Sequence, residues 1–407
     1  MSASVETKRD ASDGDRIARR NVLVLSAAQA LAGANSTVMI TTGAMTGVML
    51  APNKVLATLP ITAFVVGQWM ATLPVGALAR RFGRRTAFQI GAGCGVVSGL
   101  LGFAGVMIGS FYVFLAATFV AGFYAAVQQS YRFAAADTAS EAFRPKAISW
   151  VMAGGVFAAV LGPQLVILTK DLLPPFLFAA SYLAQAVVAV LAILVLSLVH
   201  LPKSAAVQAN APQGRPLSDF IRMPRFVTAV ACGVVSYALM NLMMTSAPLA
   251  MLDCQHSVTD ATLGIQWHVL GMFGPSFFTG ALCTRFGAER VAGAGLALIA
   301  LAAITAIAGI TLAHFWVSLI LLGVGWNFGF IGATAMVTSC YRPEERIKVQ
   351  AFNDFLVFGS LAVSSLASGA LLATLGWNAI NETALPIVLV AGGMLVWLRL
   401  RERLQPI

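Results

Sequence analysis

Charge is what this chain has least of. Only 10% of its 407 residues are charged, and 16 acidic residues stand against 26 basic ones. An ordinary soluble domain carries about a quarter charged residues, so a water-soluble globular fold is excluded. Cysteine is also scarce. Cys94, Cys232, Cys254, Cys283 and Cys340 are odd in number, most lie in or beside apolar runs, and none has metal-ligand spacing. No disulfide framework and no metal site is expected; the cysteines read as small apolar packing residues. No G-x-x-x-x-G-K-[ST] loop occurs, so ATP does not drive this protein, and no cofactor is called for. No small-residue cleavage site follows a short apolar core, so a removable signal peptide is not expected and the first apolar run is retained.

What is present is apolar length. Hydrophobic residues make up 58% of the chain. A hydrocarbon layer about 30 Å thick requires about 20 consecutive apolar residues per helical crossing. Twelve such runs are found, at 21–45, 55–79, 86–107, 111–137, 147–169, 174–199, 225–250, 258–281, 291–312, 314–338, 347–374 and 383–402. They are too long, and alternate too little, to be strands of a membrane barrel. The predicted organisation is a disordered polar tail over 1–20, six spans over 21–199, a polar tether over 200–222 with Pro202, Pro212 and Pro216, and six spans over 223–407.

The net charge of +10 suggests nucleic acid only until its distribution is read. With both termini and the even-numbered loops on one side, that side holds 24 of the 26 Lys and Arg residues, leaving only Lys54 and Lys170 opposite. The positive-inside rule places that side, with both termini, in the cytoplasm. The partner of the chain is then a lipid bilayer, and no nucleic acid is expected.

A repeat organises the chain. Gly76-Ala77-Leu78-Ala79-Arg80-Arg81-Phe82-Gly83-Arg84-Arg85 sits between spans 2 and 3, and Gly280-Ala281-Leu282-Cys283-Thr284-Arg285-Phe286-Gly287 sits between spans 8 and 9. Arg144-Pro145 after span 4 is matched by Arg342-Pro343 after span 10. Duplication at half the chain length points to two copies of one membrane bundle.

The first loop resembles the signature G-x-L-a-D-R-x-G-R-R of the major facilitator superfamily through Gly76, Leu78, Arg81, Gly83, Arg84 and Arg85. Position 80 departs from it: Arg80 stands where the family has Asp. The resemblance implies an all-α membrane protein of the MFS fold, with twelve transmembrane helices in two pseudo-symmetric six-helix bundles. It also implies a monomeric secondary transporter of the bacterial inner membrane, working by alternating access. Gly76, Arg80, Arg81, Gly83, Arg84, Arg285, Gly287 and Asp354 then belong to the gating elements. In the family the loop's Asp faces the start of helix 11; here Arg80 and Asp354 are expected to form a charge-swapped latch, the alternative being that Asp354 serves helix packing.

Within the family the central cavity is lined by helices 1, 4, 7 and 10. Those spans offer Gln29, Asn35, Tyr124, Gln128, Tyr131, Arg132, Tyr237, Asn241, Trp326 and Asn327 as substrate-binding candidates. Tyr124, Gln128, Tyr131 and Arg132 share one helical face by spacing. Each has a plainer alternative. An amide in a membrane helix often only bonds a neighbouring helix, Trp326 can be core, and Arg132 can anchor the end of span 4 by pairing with Asp137. No carboxylate lies at mid-membrane, and all acids but Asp137 and Asp354 fall in the tail, loops or helix ends. His268 and Asp137 are the coupling candidates, with hydrogen-bonded packing the alternative for His268. Thr118 takes the place of the helix-4 arginine carried by the family's proton-coupled antiporters.

A neutral or weakly anionic organic solute suits such a lining better than a dication. The run Gln128-x-x-Tyr131-Arg132-Phe133-Ala134-Ala135-Ala136-Asp137 is similar to a bacterial branch that includes riboflavin-uptake carriers, and a flavin is planar, neutral and polar-edged. Ala158-x-x-x-Gly162-Pro163 resembles part of an antiporter motif, which favours a drug or metabolite exporter, and also fits a small-residue packing seam. A membrane sensor without transport is the alternative of another class. No convergent His/Asp/Glu set supports an enzyme.

Overall fold

The computed structural model describes residues 2–52, 56, 59–201 and 214–404. Lys54 and most of the expected tether, residues 202–213, lie outside that set. The chain forms α1 (Ser2–Leu50), α2 (Leu59–Phe82), α3 (Arg84–Met107), α4 (Phe111–Gln129), α5 (Tyr131–Thr138), α6 (Arg144–Thr169) and α7 (Ala179–Ser197). It continues with α8 (Leu217–Ile221), α9 (Pro224–Asp253), α10 (Val258–Phe273), α11 (Ser276–Phe286), α12 (Ala288–Ala308), α13 (Leu312–Thr338) and α14 (Arg346–Leu404), the last interrupted at Gly376.

Helices are the physical answer to these sequences because lipid offers no partner to a backbone N–H or C=O. Among the described residues, ten helices are long and apolar enough to cross a membrane. The two remaining runs are α10 with α11, which is broken, and the part of α14 before Gly376. Side chains such as Leu168 and Leu389, 70% and 73% exposed, face outward as a lipid-facing surface requires.

Two corrections to the sequence reading arise here. The polar tail is helical from Ser2, continuous with the first span, because extending an existing helix needs no new nucleus. The eighth span is two helices, parted at Gly274-Pro275, where proline removes a backbone donor.

The chain divides into two compact units, residues 1–212 with 350–355, and residues 213–349 with 356–407. In the first, α2 and α3 both pack on α4, and α1 packs on α6 and α7. In the second, α10 and α12 both pack on α13, which also meets α9. The shared plan rests on shared small residues. A methyl group on Gly122 would strike the backbone of α2 at Phe64 and Gly67, and one on Gly323 would strike α10 at His268 and Gly271. Gly67 and Gly271 are as far apart in sequence as Gly76 and Gly280. Removing Cβ lets backbones approach where lipid supplies no hydrophobic drive between helices.

The repeated loops are a single residue long. Gly83 joins α2 to α3 with φ 83°, and Gly287 joins α11 to α12 with φ 92°. Left-handed backbone is the reason glycine recurs there.

Candidate functional site

The best-defined polar construction lies in the first unit, where α3, α5 and the start of α14 meet. Arg84 donates through one Nη2 to both Asp137 Oδ2 and Gln350 Oε1. Gln350 Nε2 donates to Asp137 Oδ1 at 3.2 Å. Beside this triad, Arg132 Nη2 donates to Asp354 Oδ1 at 2.6 Å, and Asn353 Nδ2 reaches the same oxygen at 3.1 Å. Arg132 also donates to the carbonyl of Gln129 and lies over the Phe133 ring, 4.5 Å from its centroid. The Arg132 and Asp354 side chains are 1% and 6% exposed. Two buried cations thus face two buried carboxylates, and Gln350 and Asn353 each add a hydrogen bond to a carboxylate. Charges buried this deeply are tolerable only when so matched.

This pairing corrects the sequence reading of the latch. Asp354 is held by Arg132, whereas Arg80 is exposed at the end of α2. Asp137 is held by Arg84. Arg80 lies exposed where α2 ends, and Arg132 follows the short turn at Ser130 between α4 and α5. The other loop candidates are placed in matching ways. Gly76 is buried in α2, while Arg81 and Arg285 each lie 5.2 Å over the ring of the phenylalanine that follows.

The ten cavity candidates separate by what their polar atoms already do. Asn35 and Gln185 exchange bonds between α1 and α7: Gln185 Nε2 donates to Asn35 Oδ1 at 2.9 Å, and Asn35 Nδ2 donates to the Gln185 carbonyl at 3.0 Å. Asn327 closes the break between α10 and α11. Its Nδ2 donates to the Met272 carbonyl and to Ser276 Oγ, both at 2.6 Å, and Thr279 Oγ1 donates to its Oδ1 at 2.6 Å. These amides replace bonds that the interrupted helix cannot make for itself. Tyr124 and Tyr131 do not line an open face with Gln128. Both are buried against α3, Tyr131 edge-on to Phe88 with centroids 4.8 Å apart.

Gln128, Asn241 and Tyr237 keep 8%, 8% and 9% exposure. Gln128 Oε1 accepts from Ser36 at 3.2 Å, and Asn241 Nδ2 donates to Ser364 at 3.1 Å. Gln29 is buried, and among the described residues no hydrogen bond engages its amide. In the second unit Trp326 stacks on Phe330, with centroids 5.2 Å apart and planes at 16°, and Tyr237 stands edge-on to both. Trp326 Nε1 is buried with no hydrogen-bond partner among the described residues. His268 is fully buried, its Nδ1 2.8 Å from the Leu319 carbonyl, which ties α10 to α13. Ala158 and Gly162 of α6 fit against Gly33 and against Ala34 and Thr37 of α1, so the antiporter-like fragment is occupied as a packing seam.

Gln350 and Asn353 open the eleventh span but are not among the cavity candidates, and Gln185 gives no local signal beyond being an amide in an apolar run. A lone amide in such a run needs a partner, and Asn35 and Gln185 are each other's.

A family model described as Major Facilitator Superfamily matches residues 23–276 and 230–406, nearly the whole chain. This protein belongs to that superfamily. It is therefore a multi-pass membrane protein and a secondary transporter of a small molecule. The carrier is 50% identical over 391 residues to the riboflavin transporter RfnT of Brucella anthropi, covering 96% of this chain and 97% of that one. It is 28% identical to the uncharacterized MFS-type transporter YddS of Bacillus subtilis, over 94% of this chain and 92% of that protein. The structure of the human organic anion transporter MFSD10 has the same fold, with TM-score 0.73 at 16% identity, over 93% of this chain and 99% of that one.

Proposed function

We propose that this carrier takes up riboflavin, or a closely related flavin, across the bacterial inner membrane, as a monomer with both termini in the cytoplasm. The observation that carries this reading is the 50% identity, across almost the full length of both chains, to a riboflavin transporter. The chemistry of these side chains supports it. In the first unit Gln29 and Gln128 carry amides, and in the second Asn241 carries an amide and Tyr237 and Trp326 carry aromatic surface, groups that suit a planar, polar-edged solute. An indole N–H buried without a partner is costly, and a carbonyl of the planar substrate would relieve it. Asn35 and Asn327 are assigned to the scaffold instead.

In this reading the network of Arg84, Asp137, Gln350, Arg132 and Asp354 is a gating element whose pairing changes during the alternating-access cycle. His268, with one ring nitrogen held by a backbone carbonyl, is assigned here to helix packing.

The test is uptake of radiolabelled riboflavin by a bacterial riboflavin auxotroph lacking its own importer. Expression should permit growth on micromolar riboflavin and saturable uptake that unlabelled flavin competes away. Folded carrier in the membrane with no uptake above the empty-vector control would defeat the substrate assignment.

A further inference from the structure

The two ends of the Asn241 amide are not equivalent. Asn241 lies in α9, within the second unit, and its Nδ2 donates to Ser364 Oγ of α14 at 3.1 Å. Ser364 in turn donates its own hydroxyl proton to the Leu361 carbonyl, one turn back, at 3.0 Å. A hydroxyl has a single proton, and once that is committed its oxygen can only accept. The end of the amide that faces Ser364 is therefore the NH2, and Oδ1 lies on the far side. Turning the amide over would set Oδ1 against the serine oxygen, and one of the two hydrogen bonds would be lost.

Oδ1 is left over. Among the described residues no hydrogen bond engages it, and it is not sealed from its surroundings. One turn earlier on α9, Tyr237 stands edge-on to Trp326 and Phe330 of α13 and to Phe358 of α14, with centroids 5.3, 5.1 and 5.5 Å away. Phe358 and Ser364 lie within two turns of each other on α14. The strip where α9 meets α14 is thus aromatic at one end and carries the amide at the other. Trp326 Nε1, buried without a partner among the described residues, can only donate. An aromatic platform therefore comes with a spare donor beside it and a spare acceptor one turn along.

We propose that Asn241, held with its acceptor outward by Ser364, receives the N–H of a cyclic imide in the substrate. Ser364 is a positioning residue, because it touches the amide and not the solute. The pyrimidine end of a flavin is such an imide: its N3–H lies between two carbonyls, which suit the indole donor. The proposal rests on the uptake reading above and deepens it, by naming the edge of the ring system that is recognised. A site built to pair an N–H rejects an analogue without one, because its own acceptor is then stranded.

The experiment is riboflavin uptake by the full carrier in the auxotroph, with N3-methylriboflavin, which has no imide N–H, as the competing probe. The inhibition constant of the analogue is divided by the KM of riboflavin, at equal protein level in the membrane. The wild type should favour riboflavin by about tenfold or more. Asn241→Leu should bring the ratio near one, by weakening riboflavin and leaving the analogue unchanged. Ser364→Ala lets the amide turn over and should cut the ratio by about threefold or more, again through riboflavin alone. Ser364→Thr keeps a hydroxyl and should recover the ratio. A role in helix packing alone would weaken both compounds together. If the wild type takes up riboflavin without discriminating, or if Ser364→Ala keeps the wild-type ratio, the imide assignment is refuted and the uptake reading stands. If the wild type takes up no riboflavin, the uptake reading is what fails, and the imide assignment with it.

Discussion

Replacing Asp354 by Asn tests the buried pair proposed as a gating element. Asp354 and Arg132 are 6% and 1% exposed and 2.6 Å apart, so the change leaves a guanidinium buried without its counter-charge. Breaking a buried pair in this way costs about 3–5 kcal/mol. Arg132 retains the Gln129 carbonyl, and Asn353 stays nearby, so about 2–3 kcal/mol is the better figure. The cost falls on the closed arrangement alone if water reaches these groups when the contact opens. The closed-to-open ratio then drops by roughly 30- to 150-fold at 1.4 kcal/mol per decade. The assay is alkylation of a reporter Cys at position 351 together with riboflavin uptake. Exposure should rise and uptake should fall steeply. Removing both charges, as Arg132→Leu with Asp354→Leu, should recover part of the closure, because a matched apolar pair no longer strands an ion. Wild-type uptake and exposure in Asp354→Asn, or a double variant worse than the single one, would refute the reasoning.

Asn327→Leu removes the bonds to Met272, Ser276 and Thr279 and should lower the thermal midpoint of the purified carrier, at a cost of about 2–3 kcal/mol, whether or not flavin is present. Trp326→Phe keeps the stack on Phe330 and deletes the indole donor; the expectation is about a tenfold higher KM for riboflavin with little change in maximal rate. Gly122→Val should abolish uptake by forcing α4 off α2, seen as loss of folded carrier in size-exclusion chromatography. The Arg215 guanidinium holds the Glu345 carboxyl down at about 2, against an ordinary 4.5. A depressed carboxylate stabilises the fold above its unfolded pKa and loses that contribution as pH falls through the folded value. The Arg215–Glu345 pair should therefore hold unchanged at neutral pH and weaken between about pH 4.5 and 2, measured as faster proteolytic cutting beside Arg215.

Much of this protein was legible in one dimension. The apolar runs announce helices because hydrocarbon forces every backbone group to pair within its own segment, and that rule needs no knowledge of neighbours. The repeated Gly-Ala-Leu and Phe-Gly phrases announce the duplication because a one-residue helical corner requires left-handed backbone wherever it occurs. What each polar side chain does was not legible. Asn35 and Gln185 are 150 residues apart in sequence and each other's partner, while Asn327 mends a broken helix 48 residues before it. Arg132 is joined to Asp354, 222 residues away, which no local pattern reveals. Local chemistry and solvent decide that a segment is a helix and that it crosses lipid. Which buried donor meets which acceptor depends on the rotation and depth of two helices at once, and that exists only when the helices are packed.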